Sequence, residues 1–169
     1  MKRMLFGIGV CGLLAGCASS PSVAGDFGRR PDWSLKGADG VRISAGDFDR
    51  KVVIVDFWAS WCVPCRREIP GFKALQERYR DRGLVIIGLS FDRDQDIHDR
   101  WIKANELNYA SFFVQTEEGK SEVAKFEKQV GPIDGYPTTL VINKEGTIVY
   151  KHVGYGSVEM FEGILKPLF

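Results

Sequence analysis

The sequence predicts a single α/β domain, a central mixed, mainly parallel sheet flanked by helices and preceded by a small β-hairpin. Three observations carry this. Two runs, Val52–Val55 and Leu84–Ser90, contain no charge and read as strands buried on both faces. Each is followed by apolar residues at helical spacing, Ile69, Phe72 and Leu75 after the first, and Ile97, Trp101, Ile102 and Leu107 after the second. Strands alternating with helices favour parallel pairing. The 169 residues, 44% of them hydrophobic, are enough for one well-buried domain and too few for two ordinary ones.

Taken in order, MKRMLFGIGVCGLLAGCASS opens with Lys2 and Arg3 and continues with an apolar stretch from Met4 to Ala15 that ends in small residues. This is the layout of a secretory signal, and it is too short for a transmembrane helix. Leu14-Ala15-Gly16-Cys17 resembles the lipobox of bacterial lipoproteins. That resemblance implies a signal peptide over residues 1–16 and a lipid-modified Cys17 that ties the mature chain to a membrane. The alternative is an ordinary signal peptide cut near Ala18. Ala18, rather than Asp, implies by the same analogy sorting to an outer membrane in a cell that has one. Residues 17–31, rich in Ser, Gly and Pro, read as the lipidated cysteine and a flexible tether, and the domain proper is expected over 32–169.

Trp33–Leu35 and Val41–Ile43, around an Asp39-Gly40 turn signal, are expected to form the hairpin. The helix after Val52–Val55 has Gly83 as its stop signal. Asp92, Asp94 and Asp96 alternate like the start of a calcium loop. However, Ile97 stands where that loop needs Gly and Lys103 where it needs Glu, so all three read as helix-start acids. A helix over Asp96–Leu107 would turn Ile97, Trp101, Ile102 and Leu107 inward and leave His98, among charged neighbours, facing solvent. Gly131–Thr139 is a loop feeding a strand at Leu140–Asn143. A turn at Lys144-Glu145-Gly146 follows, then a partner strand at Thr147–Tyr150. Ser157–Leu168 closes the chain as a helix with Val158, Phe161, Ile164 and Leu165 inward.

Between the first strand and its helix lies Trp61-Cys62-Val63-Pro64-Cys65. A helix N-terminus leaves backbone N–H groups unpaired and carries about half a positive charge, which favours an anion. Here the anion is a thiolate: a free thiol titrates near about pH 8.5, and in such a position it titrates lower. Cys62 is therefore the candidate nucleophile. Cys65, one helical turn on, is the candidate resolving thiol that attacks a mixed disulfide on Cys62. Pro64 suits the first turn, where no N–H is needed. Half of a zinc site looks the same, but Cys11, Cys17, His98 and His152 are scattered, so no metal site is expected. Once a leader is removed and Cys17 lipidated, only Cys62 and Cys65 remain to react, and the pair serves chemistry rather than stapling. The 23 basic and 22 acidic residues suggest no nucleic-acid face. No dinucleotide fingerprint follows a strand, so no cofactor beyond the Cys62–Cys65 pair is expected and electrons would come from another protein.

DFWASWCVPCRREIP, followed much later by GYPTTLVINKEGTIVYKHVG, resembles the extracytoplasmic thioredoxin-like proteins of the TlpA-like family, over nearly all of the chain from Asp32. The resemblance implies a thioredoxin fold and thiol-disulfide exchange. It also implies a central strand-helix insertion within Asp92–Val130, its places filled here by Phe112–Val114 and Glu122–Val130. It further implies a cis Tyr136-Pro137 bond against the redox pair, leaving the Tyr136 backbone free to pair with an extended substrate. The alternative is a proline at the start of an edge strand.

At Asp56, six residues before Cys62, the resemblance implies a buried acid beside the second cysteine. Burial would raise its pKa towards the range where it can take the proton of Cys65. The alternative is an exposed strand-end aspartate, and many TlpA-like proteins carry Asn there. Glu68 matches a family glutamate near the site, or else is a surface acid pairing with Arg67. Arg66 and Arg67 either add positive potential near Cys62 or are simply solvated. Trp58 is expected in the core, and Trp61, Val63 and Pro64 are expected to join Tyr136 and Pro137 in positioning substrate.

Together these features imply a monomeric, membrane-tethered reductase of protein disulfides, of the cytochrome or metal-site maturation type. It would face the periplasm, draw electrons from a membrane donor protein and act on protein thiols and disulfides. The alternatives are an oxidant or isomerase of the same fold and, from another class, a Cu(I)-binding module that uses the dithiol. A peroxidase would call for a separate peroxidatic cysteine.

Overall fold

The apolar run after Lys51 extends further than its β-branched core, and Val52–Trp58 forms one strand buried at every position, Asp56 included. In the computed structural model, which describes residues 22–37 and 40–169, the chain runs in order through twelve strands and helices. These are β1 (Ser22–Ala24), β2 (Ser34–Lys36), β3 (Arg42–Ser44), β4 (Val52–Trp58), α1 (Val63–Tyr79), β5 (Leu84–Ser90), α2 (Gln95–Ala104), β6 (Ala110–Phe113), α3 (Glu117–Val130), β7 (Thr138–Ile142), β8 (Ile148–Val153) and α4 (Val158–Leu165). The signal peptide, Cys17 and part of the expected Asp39-Gly40 turn lie outside the described residues.

Six strands form one sheet in the order β1-β8-β7-β4-β5-β6, and β2 and β3 form the separate hairpin. The sheet is mixed, but parallel pairing does not dominate it. β4, β5 and β6 are parallel, whereas β7, β8 and β1 add three antiparallel pairs. The cause is local. A short turn in which Gly146, at φ +78°, donates to the Asn143 carbonyl folds β8 straight back on β7.

Period-two alternation along β4 sorts the core into two faces. Val53, Val55 and Phe57 meet Trp33, Leu35 and Phe126 on the side of the hairpin and α3. Val52 and Ile54 meet Phe72, Leu75 and Phe161 on the side of α1 and α4. Each fully buried side chain of this size contributes about 1.5–3 kcal/mol. A third cluster, at the end of β4, joins Trp58 and Ala59 to Cys62, Cys65 and Ile69.

Three expectations are corrected by this architecture. Residues 22–31 are not a free tether: β1 pairs with β8, and the N–H groups of Gly25, Phe27 and Arg30 donate to the carbonyls of Val149, Ile148 and Gly146. Ser and Gly leave this stretch little to bury, but the open edge of β8 satisfies its backbone. Ile97 is exposed, and His98 takes the buried place on α2. Trp101, Ile102 and Leu107 pack against the core as expected, and only the first inward place of the helix falls one residue later, at His98 instead of Ile97. The three alternating aspartates also separate: Asp94 caps α2 by accepting from the N–H groups of Asp96 and Ile97, while Asp92 is buried elsewhere.

Candidate active site

The redox pair sits where a buried strand gives way to a helix, and each part of that turn is held by bonds that the sequence explains. Cys62 is the N-cap of α1 and has extended backbone geometry. Its Sγ accepts from the Cys65 N–H at 3.3 Å, one of the donors that a helix start leaves free. Pro64 stands in the first turn at no cost in hydrogen bonds. The two cysteines are joined as a disulfide, with their Cα atoms 5.3 Å apart. Cys62 is 4% exposed and Cys65 1%, whereas Trp61 and Val63, on either side of Cys62, are 53% and 56% exposed. Arg66 and Arg67 are exposed, and the Arg67 guanidinium lies 4.9 Å from the centre of the Tyr155 ring.

Asp92 fixes the approach to the pair, a part that the helix-start reading of this residue missed. Its Oδ1 accepts from the Ser60 N–H at 2.9 Å and the Ser60 hydroxyl at 2.6 Å, and its Oδ2 accepts from Ser90 Oγ at 2.8 Å. The Phe91 N–H donates to the Trp58 carbonyl. The loop Ala59–Trp61 is thereby pinned to the end of β5. A serine one residue before an exposed tryptophan was the available sequence signal, but its partner lies 32 residues on.

The Tyr136-Pro137 peptide bond is cis, and Pro137 is buried, with its carbonyl accepting from the Gly154 N–H at 2.7 Å. The Tyr136 ring packs against the cluster that holds both cysteines, 5.8 Å from the Trp61 ring and 4.8 Å from that of Phe91. Trp61, Tyr136 and Pro137 thus come together as one rim. Trp58 is fully buried, as expected.

Two buried acids lie close enough to act on each other, Glu68 one helical turn beyond Cys65 on α1 and Asp56 on β4. Asp56 is in the middle of the sheet, opposite Gly88 of β5 and Thr139 of β7, and neither of its oxygens has a hydrogen-bond partner among the described residues. Burial pushes its carboxyl up to about 8. Glu68 also points inward, so the surface pairing with Arg67 does not form. Its Oε1 accepts from the Gly156 N–H at 2.8 Å, and its Oε2 has no partner among the described residues. Burial, then the charge of Asp56, push Glu68 up to about 9, against a smaller downward pull from the Gly156 N–H. Tyr109 was not singled out from the sequence, yet its buried hydroxyl is raised well above its ordinary value, first by burial and then by the charges of Asp56 and Glu68. Carboxyls raised this far exchange their protons close to neutral pH, the range useful for acid-base work. Among the described residues no three His, Cys, Asp or Glu side chains gather as a metal site.

A Cys-x-x-Cys disulfide at a helix N-terminus, a cis-proline rim and a six-stranded mixed sheet define a thioredoxin-fold thiol-disulfide oxidoreductase. Known proteins agree. The chain is 27% identical over 176 residues to the thiol-disulfide oxidoreductase ResA of Bacillus cereus, covering 99% of this chain and 97% of that protein. It is 32% identical over 124 residues to the thioredoxin-like protein YneN of Bacillus subtilis, covering 73% and 69%. Among solved structures, a thioredoxin-family thiol:disulfide interchange protein from Chlorobium tepidum superposes with a TM-score of 0.76 at 28% identity, covering 83% of this chain and 94% of that one. The model of the AhpC/TSA family matches residues 28–151, and the chain belongs to that family. The resemblance to TlpA-like thioredoxin-like proteins is borne out.

Proposed function

We propose that this oxidoreductase works outside the cytoplasm as a reductase of protein disulfides, held at a membrane by lipid on Cys17. The observation that carries the reductive direction is the buried pair Asp56 and Glu68 on the Cys65 side. A strong disulfide donor is oxidising because its reduced, thiolate-bearing form is stabilised. Here the buried groups on the Cys65 side are acids, whose negative charge when ionised disfavours a thiolate nearby and so works against the reduced form that makes a strong oxidant.

The cycle follows from the geometry. The Cys62 thiolate, favoured by the Cys65 N–H and the start of α1, attacks one sulfur of a substrate disulfide and expels the other as a thiolate. Cys65 then gives its proton to the ionised form of Asp56 and attacks Cys62 Sγ, expelling the second substrate sulfur as a thiolate and leaving the Cys62–Cys65 disulfide. The raised pKa of Asp56 retains that proton until a donor dithiol reopens the disulfide and Cys65 takes it back. Glu68 shares the load, since the two buried carboxyls disfavour each other's ionisation. Tyr136, Pro137, Trp61, Val63 and Pro64 form the face on which an extended substrate segment is laid. No cofactor beyond the disulfide is called for, and a membrane dithiol protein is the electron donor. Cysteines awaiting haem or metal are the substrate class, and the working unit is the monomer.

Only Ala18–Pro21 would separate a lipidated Cys17 from β1. Four residues span at most roughly 14 Å, so the domain would ride close to the bilayer, on the outer membrane in a cell that has one. Changing Cys17 to Ala should release the protein from the membrane fraction.

The reduction potential tests the direction. Equilibrated with thiol buffers, the Cys62–Cys65 couple should lie near or below about −250 mV, and a value above about −180 mV would assign the protein to the disulfide donors or isomerases instead.

A further inference from the structure

A buried hydrogen-bond chain leads away from the redox pair towards α2 and β6. Trp58 packs in the same cluster as Cys62 and Cys65, and its Nε1–H donates to Ser111 Oγ at 3.2 Å. Ser111 Oγ lies 2.9 Å from His98 Nε2, and His98 Nδ1 lies 2.8 Å from Asp99 Oδ1. The donors present set the direction at both ends of the chain. An indole N–H only donates and a carboxylate only accepts, so Ser111 Oγ accepts from Trp58 and Asp99 accepts from His98 Nδ1, while the Ser111–His98 link takes its direction from the imidazole tautomer.

Two features show that the chain is built into the fold. His98 is buried although its neighbours on α2 are charged. Gly88 lies in register between Asp56 of β4 and Ser111 of β6. A Cβ there would stand 2.7 Å from Trp58 Nε1 and 2.9 Å from Ser111 Oγ, so glycine alone leaves the contact open. At the far end, His98, Asp99 and Ser111 line a cavity of about 330 Å³, and the Asp99 side chain is 35% exposed.

We infer that Ser111, His98 and Asp99 are positioning residues of the redox site, locking the Trp58 indole as the wall behind Cys65 and thereby favouring the closed disulfide. Reduction replaces one S–S bond by two non-bonded thiols, which need more room. A wall held through its indole N–H resists that expansion, and a wall free to tilt permits it. This holds whether the protein's net task is reductive or oxidative, because it concerns the balance between its own two states.

The test compares variants of the full-length protein equilibrated in one glutathione buffer, with the peptide that holds both cysteines alkylated and quantified by mass spectrometry. Ser111→Ala, which strands the indole N–H, should raise the dithiol-to-disulfide ratio about tenfold, or about 30 mV. Asp99→Ala, at the half-exposed end, should shift it in the same direction by a smaller factor. Ser111→Thr keeps a hydroxyl and should restore the wild-type ratio. A merely structural network would lower the melting temperature and leave the ratio alone. If Ser111→Ala and Asp99→Ala both stay within twofold of wild type, or if Ser111→Thr shifts as far as Ser111→Ala, the inference is overturned. Should Ser111→Ala fail to fold, Asp99→Ala decides the matter alone.

Discussion

The two sulfurs of one disulfide stand in opposite surroundings. Around Cys62 are the start of α1, the exposed Trp61 and Val63, and the rim made by Tyr136 and Pro137. One helical turn beyond Cys65 is Glu68, within electrostatic reach of Asp56 and the buried hydroxyl of Tyr109. The upper side stabilises an anion and meets partners, while the lower side stores protons and excludes water. Three residues of spacing thus separate electron-pair chemistry from proton chemistry, because a strand end and a helix start present different environments to adjacent turns.

Breaking either sulfur should break a different half of the cycle. Cys62→Ser should abolish disulfide reduction altogether in an insulin-precipitation assay. Cys65→Ala should instead leave the first attack intact and accumulate a mixed disulfide on Cys62, visible on non-reducing gels. If Cys65→Ala trapped nothing while Cys62→Ser did, the roles assigned to the two sulfurs would be reversed.

The proton side can be weakened without touching sulfur. Asp56→Asn keeps the shape of the side chain and removes its proton traffic, and it should slow the resolving step about 100-fold, the lower range for a positioned acid-base group. Glu68→Gln should act less, since Glu68 lies one step further from the exchange. Stopped-flow decay of a preformed mixed disulfide reads this step directly, and an unchanged rate in Asp56→Asn would remove Asp56 from the relay.

The same acids should make stability fall with pH. In the folded chain they hold their protons up to about 8 and about 9, against the ordinary carboxyl values of 3.8 and 4.5 that hold in the unfolded chain. Between those limits the folded state binds more protons than the unfolded one. Stability is therefore full near pH 4 and declines as pH rises towards 8. Urea unfolding from pH 5 to 8 should show this slope, Asp56→Asn should reduce it, and the double variant with Glu68→Gln should flatten it. A wild-type profile without slope would mean that the pair is ionised when folded.

What the sequence showed and what it hid divide along the same line. The upper side is local: the strand, the turn, both cysteines and Pro64 all lie within Val52–Cys65, and the periodicity of Ile69, Phe72 and Leu75 sets the helix behind them. Asp56 and Pro137 were legible through family resemblance rather than pattern. The lower side is assembled from afar, so Glu68 was ambiguous until Gly156, 88 residues on, supplied its donor. His98 was misread because its charged neighbours outweighed a partner, Ser111, that only the packing of α2 on β6 brings near. Asp92 was misread for the same reason, and residues 22–31 because composition does not reveal an open strand edge.

The smallest effect should come from the rim and should distinguish docking from chemistry. Trp61 presents an exposed indole edge-on to Tyr136, beside a buried sulfur. Aromatic side chains of this kind supply much of the affinity at protein interfaces. Trp61→Ala should therefore raise KM for a folded protein disulfide about tenfold, equivalent to about 1.4 kcal/mol. It should leave the rate with a small disulfide such as oxidised glutathione nearly unchanged, since a small substrate touches little beyond the sulfur. An equal loss with both substrates would mean that Trp61 shapes the reactivity of Cys62 itself, and the separation between partner surface and sulfur chemistry would narrow to the single residue between them.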